Sequence, residues 1–362
     1  MRASSALAGT GRTGLRGRPG GRPDSGGRHS SGGRAGTARR ALVVPVVLAA
    51  AVALLALVAL GLGDYPMHPG QVIAALGGNQ GFASTIVLDW RLPRVLAAVV
   101  FGAGLAVSGA LFQTLTRNPL GSPDIIGFST GAYTGAIVSI TLLGSHLAAE
   151  AAGALIGGLA TALVVYLLAW RGGVQGFRLI IVGIAMTALL NSVNTYLLLR
   201  AQTEVAMAAS IWGAGSISLV GWPQTAFALV VLAVLGLATA AIMRPLRQLE
   251  LGDDAARAHG VAAEPARLVI LVIGVALIAT VTALAGPIAF IALAAPQIAR
   301  RLVRGAGIPV GASALTGALL LLAADQLAQH VVPGAVPVGV VTVVLGGIYL
   351  VALLVHEARK HL

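Results

Sequence analysis

The chain has 362 residues, 57% of them hydrophobic and only 10% charged, and it contains no cysteine. A soluble globular domain carries about 25% charged residues, so that class is excluded, as are the disordered, collagen-like and disulfide-framed classes. A mean hydropathy of +0.90 leaves an all-α polytopic membrane protein, in which each bilayer crossing takes about 20 mostly apolar residues.

The net charge of +12 divides by position. Residues 1–40 hold nine arginines against the single acid Asp24, whereas residues 41–362 carry 15 basic and 11 acidic side chains. The Gly/Arg/Ser/Pro-rich leader buries too little apolar surface to offset its ordering entropy and reads as disordered and cytoplasmic. It holds the N-terminus inside and touches anionic membrane lipid; nucleic-acid binding is the weaker reading of its Gly/Arg stretch. Arg39-Arg40 resembles the start of a twin-arginine export signal. The 23 uncharged residues that follow, 41–63, are long enough to stay in the membrane as an anchor.

A polar stretch at 64–91 precedes apolar runs at 92–115, 125–143, 147–170 and 179–199. A mixed segment, 200–222, leads to a run at 224–243, and the longest charged loop, 244–267, leads to one at 268–285. Gly286-Pro287 interrupts the pattern before 288–299, and runs at 308–327 and 338–355 complete the chain. Read as a reversal, the Gly-Pro break gives ten spans; read as a kink, it gives nine. Ten spans place 21 basic residues inside and only Arg91, Arg94 and Arg200 outside, whereas nine would turn Arg300, Arg301 and Arg304 outward. The positive-inside bias therefore selects about ten transmembrane helices with both termini cytoplasmic. The expected organisation is a leader at 1–40, a ten-helix membrane domain at 41–357 and a cytoplasmic tail at 358–362. Gly127, Gly131 and Gly135 recur at four-residue spacing, as do Gly153 and Gly157, which suits close helix–helix approach.

Energy-coupling chemistry is nearly missing from the polypeptide. A phosphate-cradling P-loop needs a Gly-Lys-Ser/Thr sequence, and Lys360 is the one lysine in the chain. Proton-driven carriers place carboxylates or histidines inside their spans; here Asp325 lies deep in a run and Glu150 near the start of another. A lone Asp325 reads as a satisfied structural carboxylate. No His/Glu group has metal-ligand spacing and no Ser/His/Asp arrangement stands out, so no catalytic residue, metal site or cofactor is expected. In the loop at 244–267, Gly252 and an acidic start, Asp253-Asp254, open a short Ala-rich stretch carrying Ala255 and Arg257, stopped by Gly260. Composition leaves two readings of it: a helix that docks a separate ATPase, or a helix lying on the membrane.

Several strings, in order along the chain, resemble one family: the permease subunits of ABC importers for iron–siderophores, haem and cobalamin. They are Arg91-Leu-Pro-Arg94, Ser108-Gly-Ala-Leu-Phe-Gln113, Arg117-Asn-Pro-Leu-Gly-Ser-Pro-Asp-Ile-Ile-Gly127 and Leu251-Gly-Asp-Asp-Ala-Ala-Arg-Ala-His-Gly-Val261. Ala285-Gly-Pro-Ile-Ala-Phe-Ile-Ala-Leu-Ala-Ala-Pro-Gln-Ile-Ala-Arg-Arg301 and Pro337-Val-Gly-Val-Val-Thr342 follow. Within the family, Gly121–Gly131, Leu168-Ala-Trp-Arg171, Phe177–Gly183, Asn194–Leu199 and Leu345-Gly-Gly-Ile-Tyr349 most resemble the enterobactin-type (catecholate) permeases.

The resemblance implies a type II ABC importer permease architecture and no enzymatic activity. It also implies a second, paralogous permease, two cytoplasmic ATPase subunits, an extracytoplasmic substrate-binding protein and a ferric siderophore as substrate. Leu251, Gly252, Asp253, Asp254, Ala255, Arg257, Gly260 and Val261 match coupling helices that seat on the ATPase. Arg91 and Arg94 match arginines that receive the binding protein's acidic residues; snorkelling at the interface is their alternative reading. Gly286 and Pro287 match a break between two helices. Three positions depart from the family pattern: Gln329 stands at a third docking arginine, Gln297 at a frequent histidine, and Ala335-Val336 where an acid commonly precedes Pro337. A cobalamin or haem permease is the alternative within the family, and a proton-coupled carrier or a membrane scaffold the alternatives outside it.

Overall fold

The computed structural model describes residues 31–359 apart from 79–80, 125, 145, 171–175, 306, 333 and 335. Most of the leader, Arg171 and Lys360 lie outside the described residues. A helix occupies each of the ten apolar runs: α1 (Ser31–Gly61), α4 (Leu92–Thr116), α5 (Phe128–Leu143), α6 (Leu147–Ala169), α7 (Gly176–Arg200), α9 (Trp222–Ala241), α12 (Ala263–Ala285), α13 (Ile291–Val303), α14 (Val310–His330) and α15 (Val338–Ala358). Seven candidate spans are long and apolar enough to cross a bilayer, among them the continuous helical stretch Phe82–Thr116. The apolar parts of α5 and α15 are shorter, and α13 has 13 residues ending on Arg300 and Arg301.

Short helices fill the polar segments. α2 (Pro69–Leu76) and α3 (Phe82–Thr85) lie between α1 and α4, α8 (Thr203–Gly213) between α7 and α9, and α10 (Met243–Glu250) and α11 (Asp253–Ala258) between α9 and α12. The described part of the first helix already includes residues 31–40, ahead of the apolar run.

Burial ranks the helices. The candidate span ending in α4 is 72% buried, that of α12 61% and that of α14 56%, against 11% for α1 and α7. α4, α12 and α14 therefore make the centre of the bundle, and the others surround it. Ser108 Oγ of α4 donates to the Gly274 carbonyl of α12 at 2.6 Å, and Gln113 Nε2 of α4 to the Leu293 carbonyl of α13 at 3.0 Å. Each satisfies a buried polar group inside the bundle. Among the peripheral helices, α5 and α6 meet at the glycines: a Cβ on Gly135 would overlap the Gly153 carbonyl, and one on Gly157 the Gly131 carbonyl.

The chain reverses at Gly286-Pro287, between α12 and α13. Gly286 sits at φ +70°, a left-handed conformation that glycine alone adopts without strain. The reversal is pinned from two sides. Ser216 N–H donates to the Ala285 carbonyl at 2.7 Å, and Gly339 N–H to the Gly215 carbonyl at 3.0 Å.

Ahead of α4, residues Ile86–Arg91 form a π-helical stretch. In that geometry the residue at position 93 would donate to the Leu88 carbonyl, but Pro93 has no N–H. Trp222 Nε1 donates to Leu88 O instead, at 2.8 Å. Thr225 Oγ1 takes the Pro93 carbonyl at 3.0 Å, so the first turn of α9 completes the irregular start of α4.

Candidate functional site

Two sets of polar side chains stand out, one at each end of the bundle. At the end expected to face outward, Arg91 and Arg94 lie one turn apart where the π stretch joins α4. Arg91 Nη1 donates to the Leu60 carbonyl and Nη2 to the Tyr65 carbonyl, both at 2.8 Å, which ties the end of α1 and the loop after it to α4. Arg94 Nη2 donates to Asp325 Oδ1 at 2.8 Å, with Nε at 3.3 and 3.2 Å from the two carboxylate oxygens. Asp325 is completely buried while the Arg94 side chain remains 21% exposed. Gln329 Nε2, one turn along α14, donates to Asp325 Oδ2 at 2.6 Å.

These side chains line a cavity of about 240 Å³ that also takes in Asp64, Tyr65 and Trp90. The two outer arginines are thus brought together, and both are fixed by internal partners. Asp325 is the structural carboxylate expected of it, and Gln329 supports that carboxylate.

The other set surrounds α11. Gly252, at φ +116°, turns the chain out of α10 so that Asp253 and Asp254 occupy the first turn of α11, where carboxylates complement the helix dipole. Gly260, at φ +77°, ends it, and Val261 N–H returns to the Ala256 carbonyl at 2.9 Å. Asp253 Oδ1 accepts from Nη2 of both Arg117 and Arg267. Arg267 also meets Glu264 at 2.9 Å. Burial alone would raise the Asp253 carboxyl, but the hydrogen bonds and charges of Arg267 and then Arg117 outweigh it and hold the group below the usual carboxylate range. Asp254 and Arg257 form an exposed pair on the outer side of the helix. Leu251 points outward, 72% exposed.

Arg117 and Glu250 carry this loop back to the bundle centre. Arg117, at the C-cap of α4, donates from Nε to the Leu249 carbonyl at 3.2 Å while its Nη2 holds Asp253. Glu250 accepts from Thr114 Oγ1 of α4 at 3.3 Å and from the Ile308 N–H before α14 at 3.1 Å. Sequence reasoning placed Arg117 in a motif and counted it as an inner-loop charge without assigning it this bridge. It likewise counted Arg267 only as an inner-loop charge and assigned no role to Glu250.

In the loop between α4 and α5, Gln297 Nε2 holds the Pro119 carbonyl at 2.8 Å. Burial pushes the nearby Asp124 carboxyl up to about 6, against a hydrogen bond from Ser129 that lowers it. Among the described residues no group of three His, Asp or Glu side chains is arranged to hold a metal ion.

The arrangement is one of ion pairs and hydrogen bonds. It offers a mechanical connection: a short exposed helix is fastened by a shared carboxylate to both the most buried helix and α12.

Comparison with known proteins finds relatives over most of the chain. The model of the FecCD transport family matches residues 50–356. The chain is 51% identical over 300 residues to the ferric enterobactin transport system permease protein FepG of Escherichia coli (strain K12), covering 82% of this chain and 91% of that one. It is 34% identical to the achromobactin transport system permease protein CbrC of Dickeya dadantii (strain 3937), over 83% and 87% of the two chains. Among solved structures, a metal-chelate type ABC transporter in an inward-facing conformation superposes with a TM-score of 0.77 at 26% identity, covering 87% of this chain and 99% of that one.

Proposed function

The chain belongs to the FecCD transport family, and from that premise we propose that it is the translocation subunit of an ATP-driven importer carrying a ferric siderophore of the enterobactin type across the cell membrane. The observation that carries the cargo is the 51% identity to a ferric enterobactin permease over nearly the whole of both chains. All ten long helices cross the bilayer in this reading, with both termini cytoplasmic. One of two cytoplasmic ATPases seats on α11, a paralogous permease that receives the other completes the pathway, and a binding protein delivers the chelate to the outer end.

The geometry supports each part of the cycle. Motion of the ATPase enters at Asp253 and Asp254. Through Arg117 it reaches the end of α4, and through Arg267 the start of α12, so a displacement of a six-residue helix is transmitted to two of the three central helices. At the opposite end, Arg91 offers cationic charge to acidic residues of the binding protein while two backbone carbonyls hold its guanidinium still, and Arg94, its charge largely compensated by Asp325, presents the exposed edge of that pair. The surface of α7 is little covered by its own chain yet carries exposed Asn191, Ser192 and Thr195. Ser192 and Thr195 return their hydroxyls to the Ala188 and Asn191 carbonyls, and the exposed carboxamide of Asn191 suits a partner subunit or an aqueous pathway better than lipid.

The test is uptake of radiolabelled ferric enterobactin, cobalamin and haem by a deletion strain complemented with this chain and its partners. Restored ferric enterobactin uptake, lost in the Asp253→Ala/Arg257→Ala variant, is expected. Restoration of only cobalamin or haem uptake overturns the cargo, and normal uptake by the double variant overturns the coupling role.

A further inference from the structure

Beside the coupling helix lies a cavity of about 430 Å³ whose charges do not balance. Arg117, Arg247 and Arg300 line it together with Glu250. Arg117 is committed to Asp253 and to the Leu249 carbonyl, and Glu250 to Thr114 and the Ile308 N–H. The guanidiniums of Arg247 on α10 and Arg300 on α13 make no hydrogen bond or ion pair among the described residues. Two guanidiniums from different helices thus line one concave surface in excess over its single carboxylate, that of Glu250.

We propose that this cavity receives an acidic side chain of the ATPase subunit, as a second point of attachment next to α11; the inference rests on the importer reading above. Three observations select this occupant. The cavity floor is Gln113 and Thr114, 4% and 3% exposed, so it lies over the middle of the bundle, away from the periphery where a lipid headgroup would enter. Its rim carries Leu251, an apolar side chain left 72% exposed beside the two cations, a combination that suits a protein surface with an acidic residue in an apolar setting. Leu251 also stands two residues before α11, so a protein seated on the helix already covers the cavity mouth. A carboxylate there gains charge-assisted, bidentate hydrogen bonds from arginine in a site its own subunit shields from water.

The experiment titrates purified ATPase against the full chain and its partner permease in neutral phosphatidylcholine nanodiscs. Arg247→Gln/Arg300→Gln is expected to weaken association about tenfold or more, the range for removing charged partners from a covered contact. Arg247→Lys/Arg300→Lys keeps the charge but not the bidentate fork, and is expected to lose less affinity than the glutamine variant. A photocrosslinking residue at 247 is expected to capture an ATPase peptide containing Asp or Glu. Binding of the substrate-binding protein, on the opposite face, reports that the variants are folded.

Unchanged ATPase affinity in a folded glutamine variant overturns the proposal. So does a deficit that appears only in discs containing anionic lipid, which assigns the cavity to a headgroup. If Asp253→Ala/Arg257→Ala abolishes ATP-driven uptake while the glutamine variant binds ATPase normally, the cavity inference fails alone. If neither variant has an effect, the coupling reading fails with it.

Discussion

Arg94 and Asp325 stand 231 positions apart in the chain, yet one carboxylate accounts for most of the guanidinium's hydrogen-bonding edge. Because Asp325 is fully buried, removing its partner strands a charge rather than simply deleting a contact. Arg94→Ala is expected to destabilise the chain by about 3 kcal/mol, read as a lower unfolding temperature in detergent. Replacing both by Met and Leu is expected to recover most of that loss while still impairing binding-protein association. Full stability of the single variant would show that the carboxylate finds another partner.

Asp124 gives a pH-dependent counterpart. Its folded value of about 6 lies above the ordinary carboxylate value, so its favourable contribution is complete below about pH 4 and is lost as pH rises through 6. Asp124→Asn is therefore expected to match the parent at pH 4 and to be the more stable of the two at pH 7.5. A difference that is constant across that range would remove the carboxyl as its cause. The chemistry of each residue was visible in the sequence, but its partner was not. Arg117 meets Asp253 across 136 positions, and composition carries no information about which helix ends share a corner of the bundle.

Helices were legible where a physical rule constrains their text. Apolar length located the ten runs, and charge asymmetry together with Gly286-Pro287 identified a reversal that the structure shows as separate helices α12 and α13. The four-residue glycine spacing on α5 and α6 likewise corresponds to a close backbone approach. Gly135→Leu is expected to force these helices apart and lower the yield of folded protein severalfold, since the added side chain meets the Gly153 carbonyl and backbone cannot yield as a side-chain tip does. Gly236→Leu on α9, where nothing lies within 4 Å, is the control; equal yields would show that the α5–α6 contact is not needed. The π-helical stretch was not legible. Its signal is one proline followed by a tryptophan some 130 residues later, and it emerges only when α9 is placed against α4. The division of 200–222 into α8 and a loop was hidden for the same reason, because its polar and apolar residues follow no single period.

At the scale of the molecule, the buried trio α4, α12 and α14 is surrounded by helices whose exposed faces differ in chemistry. α9 presents Val230 and Val234, 65% and 59% exposed, whereas α7 presents Asn191 and Thr195. The chain has no cysteine, so single cysteines report these environments directly. Asn191→Cys is expected to react with a charged, membrane-impermeant thiol reagent in the assembled transporter, and Val230→Cys to resist it. Equal reactivity would remove α7 from the pathway.

The indole of Trp222, which supplies the hydrogen that Pro93 lacks, has an optical consequence. Only four tryptophans are present, and this one is bonded across the joint between α9 and the start of α4. Any movement that parts those two elements breaks this bond and changes the emission of an indole that is already 38% exposed. With Trp90, Trp170 and Trp212 replaced by Phe, the remaining indole times the opening of that end without a label.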